Sequence, residues 1–327
     1  MSDTIVIALG GNALVQPDQS GQFDEQIQSA TETADCIAAI VESGKQVILT
    51  HGNGPQVGNI LLQNDCEVDA AQRMPLFACS AESQGLIGSA LAIALNRAFQ
   101  RRNIDRRAVP VLTPVDVNST GNIEPSKPVG PFYTESKAKQ LESKTGHAFV
   151  EDAGRGWRRV VPSPEPETIH GTEHISSIAA SGDVPIAAGG GGLPITASNT
   201  DQTEYVDGVV DKDIAAAQLG IQLECDQLII LTDVSHVLLE YGTPDERPIT
   251  EVDVETARQY QQEGHFKRGS MYEKVEAACR FIESGVGSRA TITSLSECEQ
   301  ALDGTVGTNV VSTDTQQIVH QSSQQHE

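Results

Sequence analysis

The sequence predicts an α/β fold built on a mainly parallel sheet, with a small β-rich excursion set between sheet strands. Three observations predict it. Short apolar runs alternate with segments of helical periodicity, the pattern of βα units. Several of those runs end in glycine-rich turns. One stretch, from about 118 to 168, breaks the alternation with Pro125, Pro128, Gly130, Pro131, Pro162, Pro164 and Pro166. At 327 residues the chain is long enough for one large domain or two lobes.

The elements follow in order. Ile5–Leu9 is the first candidate strand; the four residues ahead of it carry no basic charge, and the run is too short for a secretory signal or a membrane span. The expected location is therefore the cytoplasm. Ile27, Ala30, Ala34, Ile37, Ala38 and Val41 recur at helical spacing, with Gly44 placed to stop that helix. Gln46–Thr50 is the second strand, and a helix through Leu86, Ala90, Ile93, Ala94 and Leu95 leads to a third at Val109–Leu112. The Pro/Gly stretch, with its short Val, Phe and Tyr segments, suits a small β-rich lid better than another βα unit. Val184–Ala188, Gln227–Thr232 and Ala290–Thr293 complete the strands, and a helix spans about 270–284 up to Gly285. The polar stretch Thr313–Glu327 is expected to fray after a last short strand.

Charge narrows the class of partner. Asp and Glu number 45 against 22 Lys and Arg, a formal net charge of -23. Such a surface repels nucleic acid and anionic lipid, so neither is an expected partner. The acids are spread without a long block, which fits adaptation to a high-salt cytoplasm, where a Debye length of about 3 Å screens self-repulsion. Lysine is scarce: Lys45, Lys127, Lys137, Lys139, Lys144, Lys212, Lys267 and Lys274 are all there are. Each one inside a motif therefore stands out. The cysteines at 36, 66, 79, 225, 279 and 298 form no C-x-x-C pair and read as buried small hydrophobes, neither a disulfide frame nor a zinc site.

Three candidate strands run into glycine turns: Gly10-Gly11-Asn12, His51-Gly52-Asn53-Gly54-Pro55-Gln56-Val57-Gly58, and Gly189-Gly190-Gly191-Gly192. Ligands bind at the carboxyl ends of parallel strands, and glycine there lets backbone N–H groups close on phosphate oxygens. Three such turns at one sheet edge point to an anion site. The chain lacks a G-x-x-x-x-G-K-[ST] loop and the H-R-D and D-F-G motifs of protein kinases, so a nucleotide site here belongs to another class.

Lys212, flanked by Asp211 and Asp213, stands just before a helix, where Asp213 serves as an N-cap or as a partner for the lysine. Gly269-Ser270-Met271-Tyr272-Glu273-Lys274 reads as a capping box with Ser270 as N-cap and Glu273 at N3. Lys274 then lies in a first helical turn, where a cation is disfavoured unless an anion faces it. Lys127, on the β-rich lid, is placed to approach the same charge. His170-Gly171-Thr172-Glu173-His174 matches an inverted zinc-protease motif, but Pro162, Pro164 and Pro166 upstream and Gly171 and Thr172 within it deny it the solid helix that chemistry needs. No protein-bound metal is expected.

With these pieces the chain resembles the carbamate kinase branch of the amino-acid-kinase family along nearly its whole length. The resemblance rests on Val6–Leu14, the His51–Gly58 turn, Ser83–Gly88, Lys127–Tyr133, Arg158–Pro164, Gly189–Pro194, Asp211–Ala215, Leu231–Val234 and the Gly269–Met271 turn with Lys274–Ala278. HGNGPQVG followed by KPVGPFY and RRVVPSP is its most specific part. It implies a three-layer αβα sandwich with a protruding subdomain, assembled as a homodimer. The division it suggests is 1–206 as the acceptor lobe, 207–320 as the nucleotide lobe and 321–327 as tail. The implied reaction is ATP + carbamate ⇌ ADP + carbamoyl phosphate, with Mg2+ accompanying the nucleotide, at the end of arginine breakdown. Lys127, Lys212 and Lys274 would stabilise the moving phosphoryl group and Asp213 would organise them. Gly10, Gly11, Asn12, Gly52, Asn53 and Gly54 would line the carbamate and γ-phosphate site; Thr232, Asp233, Gly269, Ser270 and Met271 would face the nucleotide. The chain departs from the pattern at Ser89, Ser235, Lys267, Arg268, Tyr272 and Glu273, which bears on nucleotide contacts. A sister kinase acting on another small carboxylate or phosphate is the alternative, and a non-catalytic nucleotide sensor a further one.

Overall fold

The computed structural model describes residues 3–10, 22–64, 74–118, 124–152, 155–196 and 204–313. Its centre is an eight-stranded sheet. In chain order the first elements are β1 (Thr4–Leu9), α1 (Phe23–Glu42), β2 (Gln46–His51), α2 (Gly54–Asn64), α3 (Leu76–Arg102) and β3 (Ala108–Pro110). A second set of strands follows: β4 (Pro114–Val117), then β5 (Lys127–Tyr133), α4 (Glu135–Thr145), β6 (Phe149–Glu151), β7 (Trp157–Val161) and β8 (Pro166–Ile169). Then come α5 (Thr172–Ala180), β9 (Val184–Ile186), β10 (Leu193–Thr196), β11 (Glu204–Tyr205), α6 (Lys212–Gln222) and β12 (Gln227–Thr232). The chain closes with β13 (Val237–Leu239), β14 (Arg247–Ile249), β15 (Glu251–Asp253), α7 (Val254–Glu263), α8 (Met271–Glu283), β16 (Arg289–Ser294) and β17 (Thr308–Val311).

The large sheet has the order β15-β17-β16-β12-β1-β2-β9-β3 and is parallel except where β16 meets β17. One sheet thus serves both halves of the chain, with β1 between β2 and β12. The unbroken apolar run of β1 is explained by burial on both faces. Val6 and Ala8 pack with α5, α6 and α8 in one core; Ile5, Ile7 and Leu9 pack with α1 and α3 in another. That is the three-layer αβα sandwich. α3 is long and apolar enough to cross a membrane, but its apolar residues from Leu76 to Phe99 are largely buried within the protein.

The excursion is the three-stranded sheet β5-β7-β6, with α4 packed on it. The helix is a departure from the β-rich expectation: Glu135–Thr145 is so polar that only Ala138 is buried, so no apolar stripe announces it. Its caps were readable, since Thr134 accepts from the Lys137 N–H and Gly146 stops it in the left-handed region. The root of this subdomain is fixed. Val129 and Val161 join Val57, Leu61, Leu76, Cys79 and Val209 in a third core, and Gly130 crosses so near Gly58 that a Cβ on Gly58 would lie 2.0 Å from the Gly130 Cα.

Three expectations need correction. The strand expected at Val109–Leu112 is Ala108–Pro110, leaving Leu112 exposed, and the one expected at Val184–Ala188 stops at Ile186 because Ala188 turns to φ 50°. Cys36 of α1 and Cys298, just beyond β16, are paired as a disulfide; a separation of 262 residues gives no spacing signal. Cys79, Cys225 and Cys279 are buried free thiols.

Candidate active site

The carboxyl edge of the large sheet gathers the motifs. Leu9 at the end of β1 pairs with His51 at the end of β2 and with Leu231 near the end of β12. α2 starts directly after β2 there. α6 and α8 run back to the opposite edge to feed β12 and β16, so they start at this edge too. Three helices, α2, α6 and α8, therefore begin at one edge of the sheet, where a helix start favours negative charge.

The glycine turns divide their work. Gly10 donates its N–H to the Leu231 carbonyl at 2.9 Å and Gly52 donates to Leu9 at 3.1 Å. Of the six residues expected to line the anion site, Gly10 and Gly52 thus have their amides bonded to strand carbonyls. Gly10 is required by proximity, since a Cβ would lie 2.6 Å from the Leu231 oxygen. Gly54 opens α2, leaving its amide in the first turn of that helix. Gly11 and Asn12 lie outside the described residues. Gly189–Gly192 are all buried and serve as sockets: a Cβ on Gly189 would lie 2.4 Å from His51 Nε2, and one on Gly190 2.2 Å from Asn53 Nδ2. They dovetail with the His51–Gly58 turn, so packing alone already requires glycine at Gly189 and Gly190. Asn53, 4% exposed, donates from Nδ2 to Ser83 Oγ at 2.9 Å, and Ser83 donates to the Ser80 carbonyl. His51 is buried with Nδ1 3.0 Å from the Gly52 carbonyl. Burial, reinforced by Lys212 nearby, brings its pKa down to about 4 against the pull of that carbonyl, so the ring is neutral at pH 7.

Beside the turns lies a knot of five charges. Asp213, 4% exposed at its side chain, accepts from Lys212 through Oδ1 and from Lys274 through Oδ2, the latter at 3.0 Å. Its neighbour Asp211 is ion-paired with Lys127. Burial would raise the pKa of Asp213, but Lys212 and Lys274 outweigh it and hold the carboxyl well below the usual range. Burial lowers Lys127 and Lys274, yet Asp211 and Asp213 respectively leave both raised. For Lys212, burial and the Lys274 charge prevail over Asp213, and its pKa is lowered. The structure therefore brings all four expected catalytic residues together. Asp211, not Asp213, is the N-cap of α6, accepting from the Asp213 and Ile214 N–H groups. That residue was missed; the signal was its place one residue before the helix.

The nucleotide candidates lie along the more exposed part of the same edge. Thr232 ends β12 and donates to Asp233 Oδ1 at 3.1 Å. Gly269 is exposed at φ 80°, and Met271 begins α8 and packs against the core on the α6 side. The capping box is not formed as expected: Ser270 makes no side-chain cap, and Glu273 Oε1 accepts instead from the Gly269 N–H at 2.8 Å. Glu273 Oε2 is buried without a hydrogen-bond partner; burial first and then the Asp211 charge raise its pKa. Arg268 stacks 4.2 Å above the Tyr272 ring. In the H-x-x-E-H segment, His170 precedes α5 and pairs with Asp116 at 2.9 Å, so the two histidines do not share a helical face.

The sequence profile of the Amino acid kinase family matches residues 3–294. A carbamate kinase of Pyrococcus horikoshii is 45% identical over 95% of this chain and 99% of its own length. Carbamate kinase from Giardia lamblia bound to citric acid superposes with a TM-score of 0.89 at 38% identity, covering 95% of this chain and 99% of that one. The same enzyme bound to AMP-PNP gives 0.85 at 39% with the same coverage.

Proposed function

The chain belongs to the amino acid kinase family, and from that premise we propose that it transfers a phosphoryl group between ATP and carbamate, ATP + carbamate ⇌ ADP + carbamoyl phosphate. The observation that carries this reading is the convergence of Lys212 and Lys274 on Asp213, with Lys127 beside them on Asp211, at the glycine-lined carboxyl edge. Phosphoryl transfer asks a protein for positioning and charge neutralisation more than for covalent help. Ammonium groups held by carboxylates supply both. When a phosphoryl group enters, the lysines turn from their aspartates towards its oxygens and follow the charge from one side of the reaction to the other. Carbamate is already an anion and needs no general base, in keeping with a buried, neutral His51 engaged with its own turn. Gly54 and the first turn of α2 face the acceptor. Thr232, Asp233 and the Gly269–Met271 turn are the part of this edge assigned to the nucleotide; the Giardia relative was solved bound to AMP-PNP, a nucleotide analogue.

The donor set fits a magnesium ion carried by the nucleotide and not by a protein cage. Asp211 and Asp213 are spent on lysines, and among the described residues no three His, Cys, Asp or Glu converge on one point. Bound with the nucleotide, Mg2+ would neutralise phosphate charge. We further read the chain as a cytoplasmic homodimer that makes ATP at the end of arginine degradation, with an acidic surface suited to high salt.

The test is a coupled assay of ATP formation from ADP with carbamoyl phosphate, and in parallel acetyl phosphate, in molar KCl and in dilute buffer. ATP from carbamoyl phosphate is the expected result. Preference for another phosphoryl donor points to a sister kinase, and no turnover with bound nucleotide to a sensor. Equal activity at both salts removes the salt-adaptation reading alone.

A further inference from the structure

The two oxygens of Asp211 have separate partners. Oδ1 accepts from the Asp213 N–H at 2.8 Å and from the Ile214 N–H at 3.3 Å, capping α6, the helix whose first two residues are Lys212 and Asp213. Oδ2 takes the ammonium of Lys127. One carboxylate therefore touches both the helix that presents two site residues and the subdomain that presents a third. Lys127 is the first residue of β5, at the root of the subdomain and not its tip, paired across the ladder with Val161. That root is tied to the segment leading into α6: Val209 donates its N–H to the Pro162 carbonyl at 2.9 Å, and Gly208 lies so near the same oxygen that a Cβ would meet it at 3.0 Å. Lys127 and Asp211 thus enter the site from two adjoining stretches of backbone that are bonded to each other.

We propose that Asp211 is a positioning residue for the transfer reaction, holding the Lys127 ammonium over the phosphoryl site while it anchors the start of α6, and yielding Lys127 to the phosphoryl group when substrate binds. The inference rests on the proposed transfer activity only for its kinetic readout. Geometry alone gives the capping and the ion pair. Groups facing Lys127 are Asp211 and Asp213 from α6 and Glu273 from α8. Lys127 and Asp211 are 26% and 12% exposed at their side chains, so little solvent is there to replace a lost partner. Without the Asp211 charge, burial of Lys127 dominates and its ammonium becomes more acidic.

The variant that separates the two oxygens is Asp211→Asn, whose side-chain oxygen still caps a helix as well as aspartate does but carries no charge. Its Tm is expected to stay near that of the wild type. Mass-spectrometric footprinting of Lys127 with acetic anhydride, read across pH, needs no catalytic turnover: acetylation of Lys127 at pH 9 is expected to rise about tenfold in D211N, one unit in apparent pKa. In the ATP-forming assay, D211N is expected to lower kcat/KM about 10–100-fold, with the alkaline limb of its pH profile moved to lower pH. Combined with Lys127→Met, D211N should add less than about threefold. Unchanged Lys127 acetylation, or a D211N effect that multiplies in full with that of K127M, would overturn the proposal. If the wild type makes no ATP, the assigned reaction fails while the footprinting still decides the role of Asp211.

Discussion

The β2–α2 turn and the lysine knot sit side by side on one sheet edge and are built by opposite means. The turn is neutral: Gly189 and Gly190 make room for His51 and Asn53, amides bond to carbonyls, and His51 is kept uncharged by burial. The knot is ionic: Lys127, Lys212 and Lys274 against Asp211 and Asp213, each side chain at most about a quarter exposed. The contrast teaches that the same site is sensitive to volume on one side and to charge on the other. Steric substitution should break the turn with little electrostatic signature, and charge substitution should break the knot without unfolding the protein.

The largest effect is expected on the ionic side. Lys212→Ala or Lys274→Ala should lower kcat by about 10²–10³, the scale of losing one preorganised donor, with the Tm little changed; steady-state kinetics beside a thermal melt check it. A turnover near wild type would remove that lysine from the transfer step. On the neutral side, Gly190→Ala meets a left-handed φ of 64° and the Asn53 amide at once. It is expected to cost about 2–4 kcal/mol of stability in urea unfolding, with activity lost as Asn53 is displaced.

His51 gives a pH test of the same contrast. Its folded pKa, about 4, lies below the ordinary 6.5. The neutral form is therefore the stabilising one: its contribution is present above about pH 6.5 and is lost as pH falls through 6.5 towards 4. Over that window the wild type should lose up to about 3 kcal/mol from this group, and urea unfolding of His51→Gln should show a flatter slope. An identical slope in both proteins would mean that the ring is not buried neutral. The smallest effect is expected at Glu273, in the first turn of α8. Glu273→Gln removes a carboxylate whose Oε2 is buried without a partner near Asp211. It should lower the KM for ADP a few-fold with kcat unchanged, and a raised KM would assign Glu273 to nucleotide binding.

The sequence announced the ionic side better than the neutral one. Lys127, Lys212 and Lys274 stood out because lysine is scarce in so acidic a chain, and Lys274 because a first helical turn disfavours a cation. The sheet was legible because β1, β2 and β12 are buried on both faces and so read as unbroken apolar runs. What was hidden depends on contacts between distant segments. Nothing in Gly189–Gly192 distinguishes a phosphate loop from a socket for side chains about 140 residues earlier in the chain, at His51 and Asn53. Asp211 was overshadowed by Asp213, since either can cap a helix beginning nearby, and the sequence does not say which of the two does. The Cys36–Cys298 pair and the polar helix α4 escaped for similar reasons, one long-range and the other without an apolar stripe.

Both sides of the contrast bear on one consequence of the proposed function: the phosphoryl group would pass directly between bound carbamoyl phosphate and ADP, met by lysines and without attachment to the protein. The most direct measurement follows radiolabelled phosphoryl from carbamoyl phosphate, with and without ADP, into ATP and into protein. The account predicts label in ATP only when ADP is present and none on the chain at any time. Label retained on the protein, at His51 above all, would contradict it.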